Sequence, residues 1–478
     1  MLKLVSAASF ANSYCIKHSN NPDNDVIAIC TGSQTKSLSE AVLTDSTISS
    51  NRIHYDLKCS VSTAECASVK ETIDAAIDAI SSTFRFEVPL YINVSFADFC
   101  QSSSTCQYNL NRSIAATYPS ASYAMVDSTD NVVRLYPQAL LKQFTNLAVK
   151  PNWAEYDMNV QLNSKINWYF VNDSQDIQSD QVDLFLNVIH EIIHGLGFMT
   201  SWSDNLYSRL QPLITDGLNR FVTPISLAKI SNNDIMKNSE ANMPFWGFAE
   251  YAFDKLLYFV DSNNSTKPLS SITTSLNSFA NSNTSFNSLL DFANSWYKSG
   301  EYKTASDVYT KAVTGFDILA MVNNEPVFYL ETFLNPFSSG SSLCHVDHAK
   351  YASSAEYLMV YVADKGFNRK KFEVTFPGGP VGPSLLRFVS GLGYALNATH
   401  NLTPTRPPLT YWGPSQSLVN TPSNPSPIVS VDSNGPAHLP TARASDVSTS
   451  NAQALKYDRN WLLILLLSHF LQLIYFQL

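Results

Sequence analysis

The segment VDLFLNVIHEIIHGLGF, residues 182–198, constrains this chain more than any other. Val182, Leu186, Ile189, Ile193 and Leu196 recur at helical spacing and form one apolar stripe. On such a helix His190 and His194, four residues apart, lie one above the other on a single face, and Glu191 projects from the neighbouring face. Two imidazole nitrogens can then point at one zinc ion. Glu191 is placed to take a proton from a water that zinc acidifies and to return it to a leaving amine. The helix is expected to start near Ser179 or Asp180, both good N-caps, and to end or turn at Gly195 and Gly197.

Two histidines and a glutamate at this spacing also arise in helices that merely pack or solvate them. Gly197 stands three beyond the second histidine, but the position where a third might follow is Thr200, a poor zinc ligand. Of the nine histidines, His18 and His54 lie in an irregular polar region, His400 and His438 in or beside a proline-rich stretch, and His469 in an apolar tail. His345 and His348 remain, in GSSLCHVDHAKYASSAEYLM, with Met359 a short distance beyond. On its own Met359 reads as an ordinary core residue.

Taken together, VDLFLNVIHEIIHGLGF, GSSLCHVD and YLM resemble metzincin-type zinc metalloproteases in which an insertion separates HExxHxxG from the third histidine. The leishmanolysin-like enzymes and a group of secreted microbial HExxHGLGF peptidases are of this kind, and PVGPSLLRFVSGLGYAL resembles the closing segment of the latter. The resemblance covers roughly residues 65 to 400, with its specific motifs at the centre. It implies that His190, His194 and His345 bind zinc, with His348 the alternative third ligand. It further implies that Glu191 is the general base, Gly197 makes the turn and Met359 belongs to a methionine turn beneath the metal. Cys344 replaces the usual serine, and its thiol could bind zinc or form a disulfide. Asp347 could support a ligand or cap the following turn, and Tyr361 falls where some metzincins carry a tyrosine near the metal, although a core tyrosine accounts for it equally.

The chain has 478 residues with a formal net charge of −9 and offers no basic patch for nucleic acid. Its seven cysteines include two close pairs, Cys59 with Cys66 and Cys100 with Cys106, spaced for small disulfide loops rather than metal. Cys15 is expected to pair with Cys30, and the odd count leaves at least one free or intermolecular thiol. Sequons at Asn93, Asn111, Asn172, Asn263, Asn264, Asn283, Asn397 and Asn401 also favour the secretory route. Residues 1–60 form an N-terminal segment with a possible degenerate signal peptide. At the other end, the apolar run WLLILLLSHFLQLIYFQL follows a polar spacer and small residues, the order of a glycolipid-anchor signal; a tail-anchored helix is the alternative. The expected location is the cell surface.

Strands are predicted in VPLYINVSF, NVVRLYPQ and KINWYFV, and a helix from the stripe Val69, Ile73, Ile77 and Ile80. Residues 203–335 read as a helical insertion within a 65–400 peptidase domain. Residues 401–450 read as a Pro/Ser/Thr-rich stalk, since nine of the 23 prolines fall between Pro404 and Pro440, and residues 451–478 as the anchor signal or membrane segment. The expected fold is α+β and two-lobed: a twisted mixed sheet with the active-site helix, plus a mainly helical C-terminal lobe. The expected function is a zinc metalloendopeptidase whose cleft holds an extended peptide, with pairing to an edge strand. The competing readings are an inactive adhesion or wall-binding module, which would have no need of Glu191, and a zinc amidase acting on another substrate. Nothing in the sequence sets the oligomeric state.

Overall fold

A computed structural model describes residues 14–19, 26–29, 52–99, 114–147, 150–214, 217, 219–228, 243–260, 265–282, 285–315 and 318–413, all within one compact unit. The chain is mixed α and β with several sheets. Four strands make the sheet nearest the HEIIH motif. Ile53–Cys59, Leu90–Ala97 and Met158–Asn163 run parallel, and Ala115–Pro119 lies antiparallel along the outer edge of the last. Leu90, Ile92, Val94 and Phe96 alternate inward on the central strand, and Met158, Val160 and Leu162 do so on its neighbour. Helix Thr63–Thr83 covers this face with Val69, Ile73, Ala76, Ile77 and Ile80 and is capped by the Ser62 hydroxyl. Each fully buried aliphatic side chain contributes about 1.5–3 kcal/mol to that contact.

The motif helix is Leu184–Gly195. Its cap is Asp183 rather than Ser179 or Asp180, because Val182–Asp183 is drawn into a short parallel pairing with Trp168–Tyr169. That pairing is all that forms of the strand expected from KINWYFV. One Asp183 oxygen accepts from Leu186 N at 2.9 Å and the other from Arg369 N at 2.9 Å, tying the helix start to a distant segment. Gly195 lies so close to the sheet that a Cβ there would fall 2.2 Å from Met158 Sδ.

The region expected to be helical, 203–335, is mixed. MPFWGFAEYAFDKLLYFV forms strand Met243–Tyr251, a 3-10 turn Ala252–Leu256 and strand Leu257–Val260. Pro244 and Gly247 disfavour a helix there, and pairing with Ile225–Ala228 on one side and Val132–Pro137 on the other satisfies the backbone as a sheet. The helices expected further on do form, at Leu289–Tyr297 and Gly300–Val313. A separate four-stranded sheet runs Thr266–Pro268, Leu257–Val260, Ile318–Val322, Glu325–Tyr329. Structure also extends past the expected limits of 65 and 400, since Tyr14–Lys17 and Leu409–Tyr411 both pair with Ala121–Asp127. The start of the expected stalk is therefore ordered sheet, and Trp412 is buried.

Cys59 and Cys66 form the expected disulfide, and Cys15 is disulfide-bonded. Cys30, the Cys100–Cys106 pair, four of the sequons, the signal-like start and the apolar tail lie outside the described residues. No helix among the described residues is long and apolar enough to cross a membrane.

A buried ionic cluster joins the second sheet to the 3-10 turn. Arg134 is fully buried; its Nε donates to Glu250 Oε2 at 3.1 Å, and its two terminal nitrogens donate to the Asp130 carboxylate at 2.8 and 3.0 Å. Lys255 Nζ meets Asp127, also fully buried, at 2.6 Å. Removing one partner strands the others without compensation, so Arg134→Ala is expected to cost about 3–5 kcal/mol in chemical denaturation. A loss under about 1 kcal/mol would show that the cluster is not the anchor described.

Candidate metal centre

The motif helix delivers His190 and His194 from adjacent turns, and His345 reaches them from a separate segment. That segment is laid down by main-chain hydrogen bonds on both sides. Glu331 N donates to His345 O at 2.9 Å, Val346 N to Met359 O at 2.9 Å, and Asp347 N to Tyr329 O at 3.0 Å. The three Nε2 atoms come together, with separations of 3.0 Å between His190 and His194 and 3.2 Å from each to His345. Among the described residues this is the group of side chains able to hold a metal ion.

The backs of the rings decide their protonation. His190 Nδ1 lies 2.6 Å from Leu358 O, His194 Nδ1 2.7 Å from Phe198 O, and His345 Nδ1 3.1 Å from Ser341 O. A carbonyl oxygen only accepts, so each Nδ1 carries the proton and each neutral ring turns a lone pair inward at Nε2. Burial lowers the His190 pKa to about 4 and the His194 pKa to about 3, the latter with a further push from His190. Burial and the two neighbouring rings also hold His345 well below the usual range. Three lone pairs therefore face one another with no proton among them, an arrangement that a cation would stabilise. Tetrahedral coordination at about 2.0–2.1 Å places ligand nitrogens about 3.3 Å apart, close to the spacing here.

Glu191 is buried, at 5% exposure, and its Oε2 has no hydrogen-bond partner among the described residues. Burial pushes its pKa up to about 7, with a weaker opposing pull from Thr117 on the sheet's edge strand. A carboxylate poised near neutrality beside the histidine cluster suits proton transfer.

The other residues singled out in the sequence fall as follows. Gly197 has φ of +107°, which lets the chain reverse so that Phe198 O returns to His194. Met359 is fully buried and ends the short 3-10 turn Tyr357–Met359, whose Leu358 and Met359 carbonyls hold His190 and the His345 segment respectively. His348 is not in the cluster: its N–H donates to Glu331 at 3.1 Å, and its ring stands against Tyr361 at 5.6 Å. Cys344 is a free, buried thiol that approaches His345 from the Nδ1 side at 3.4 Å; it takes part in neither a disulfide nor the cluster, and burial pushes its pKa up. Asp347 caps helix His348–Tyr351 through Lys350 N at 3.0 Å and pairs with Lys350 Nζ at 2.9 Å. Tyr361 is 37% exposed rather than a core tyrosine.

Thr200 is engaged elsewhere. Its hydroxyl donates to Asp254 Oδ1 at 2.6 Å, while Asp254 Oδ2 accepts from Ser201 N and Tyr251 N, each at 2.9 Å. The sequence offered no sign of this partner, which lies 54 residues away in chain order. Glu356 is a second buried carboxylate missed in the sequence; it accepts from Ser384 N and Leu385 N at 2.8 and 3.0 Å and so holds the start of helix Pro383–Leu392 against the turn Tyr357–Met359.

A family model described as SPBPB7E8-like matches residues 15–432, a span that holds both halves of the histidine cluster. A protein of Schizosaccharomyces pombe, "Uncharacterized protein PB7E8.01", is 27% identical over 358 residues, 71% of this chain. The chain spans 60% of the length of that relative. No solved structure matches. On the extent of the family match, the chain belongs to the SPBPB7E8-like family.

Proposed function

We propose that the protein is a zinc-dependent metalloendopeptidase of metzincin-like architecture. The observation that carries this reading is the convergence of three Nε2 lone pairs, each fixed by an Nδ1 hydrogen bond to a carbonyl, beside a buried carboxylate with an unpartnered oxygen. Three histidines are the number of protein ligands that a catalytic zinc site uses. The Gly197 turn, the distant third histidine and the buried methionine turn support the metzincin comparison.

When bound, zinc supplies Lewis acidity, polarising a carbonyl and acidifying a water. His190, His194 and His345 would hold the ion and, being neutral, would leave its charge undiminished. Glu191 accepts the proton of the attacking water and passes it to the departing amine nitrogen. The edge strand Ala115–Pro119 pairs only with Met158–Asn163 among the described residues. The same strand packs against the motif helix, so an extended peptide added along that edge would run past the base. A secreted, lipid-anchored location at the cell surface completes the proposal. A buried carboxylate at Glu191 is costly to keep in a protein that does no chemistry, which speaks against the silent adhesion module.

Purified protein should carry about one zinc per chain and cleave an unstructured polypeptide in a chelator-sensitive manner; a preparation that takes up no zinc ends the proposal. Cleavage of a non-peptide amide alone would favour the amidase. Glu191→Gln is expected to keep metal affinity while lowering kcat/KM by about 10²–10⁴-fold. His345→Ala should weaken zinc binding strongly and His348→Ala should not, as chelator competition would report. Because burial depresses the imidazole pKa values, protons compete late: zinc should be retained as pH falls through 6.5 and lost only toward about 4. Half-release near pH 6.5 would contradict the buried, proton-free ligand set.

A further inference from the structure

We infer that Asp254 is a positioning residue for the metal centre, holding the Phe198 carbonyl against His194 through Thr200 and Ser201. The inference rests on the zinc-site reading for its consequence, though the contacts themselves do not.

The ring of His194 can aim Nε2 at the cluster only while its Nδ1 proton has the Phe198 oxygen to bond, at 2.7 Å. Phe198 lies just past the glycine reversal, where its N–H makes the last main-chain bond back to the helix, to Ile193 O at 3.3 Å. Two residues on, Asp254 takes over. It is fully buried and collects three donors: the Thr200 hydroxyl and the main-chain N–H groups of Ser201 and Tyr251. The Thr200 oxygen also accepts from Trp202 N at 3.2 Å, so the turn is pinned at consecutive residues. The neighbour of Asp254, Phe253, packs its ring 5.0 Å from that of Phe198, and Phe388 lies 5.3 Å from Phe198 and 5.1 Å from Phe253. Phe198 is thus gripped by its ring and by the main chain that follows it, and the 3-10 turn contributes to both grips, through Phe253 and Asp254.

This gives Thr200 and the inserted segment a function. The insertion that separates HEIIH from its third histidine returns within about fifty residues to brace the turn that orients the second. Polar groups of this kind behind a ligand typically change metal affinity by about 10–100-fold when removed.

Thr200→Val deletes the donor at nearly constant volume, Thr200→Ser keeps it, and Asp254→Asn leaves one oxygen where two accept. Zinc affinity by chelator competition is expected to fall about 10–100-fold in Thr200→Val and Asp254→Asn and to stay within about threefold of wild type in Thr200→Ser. In metal-free protein carrying ¹⁵N-histidine, the His194 signal should report the Nδ1–H tautomer in wild type and Thr200→Ser, and a mixture in Thr200→Val. Wild-type affinity with an unchanged tautomer in Thr200→Val overturns the inference, as does a loss of unfolding stability alone. If the wild-type protein binds no zinc the peptidase reading fails by itself, and the imidazole signals still decide whether Thr200 and Asp254 position His194.

Discussion

Everything at the centre of this molecule depends on three hydrogen bonds that point away from the site. Leu358, Phe198 and Ser341 each offer a carbonyl to the Nδ1 of one histidine, and together they settle both the tautomer and the aim of the rings. The three carbonyls come from separate pieces of backbone: the turn Tyr357–Met359, the reversal after the motif helix and the loop before His345. A cluster built in this way can converge only if those three pieces hold their relative places, and much of the surrounding fold serves that end.

Buried carboxylates carry out much of the holding, and they do so by gathering main-chain N–H groups rather than by pairing with charge. Asp183 joins the start of the motif helix to residue 369, Asp254 joins its end to residues around 251–254, and Glu356 joins the turn Tyr357–Met359 to helix Pro383–Leu392. A hydrogen bond to a charged group contributes about 1.5–3 kcal/mol, whereas a buried carboxylate that loses its donors is strongly unfavourable. Such sites therefore act as nearly all-or-none locks. Burial pushes the pKa of each upward, for Asp254 to about 7 with a further contribution from Glu250, so the donors work against a desolvation cost.

The parts legible in the sequence were those whose signal is local. The stripe Val69 to Ile80, the alternation from Leu90 to Phe96 and the one-turn spacing of His190 and His194 all report a periodicity that the neighbours do not alter. His345 was found by resemblance, and the geometry distinguishes it from His348 because main-chain pairing with Glu331 and Met359 turns the former inward. Residues 243–260 were misread because the strand is hydrogen-bonded on both sides and buries Phe245, Phe248 and Ala249 together, which erases the alternation expected of a half-exposed strand. Pro244 and Gly247, the latter at φ +125°, were the available warning. The pairing of Thr200 with Asp254 had no local signature at all, since it is created by tertiary packing between residues far apart in the chain.

The most direct test of the account is anomalous diffraction at the zinc edge from crystals of the purified protein. The account predicts a single strong peak about 2.0–2.1 Å from the Nε2 atoms of His190, His194 and His345, with Glu191 nearby but not coordinating. No peak at that position, or a peak bound through His348 or the Cys344 sulfur, would contradict it.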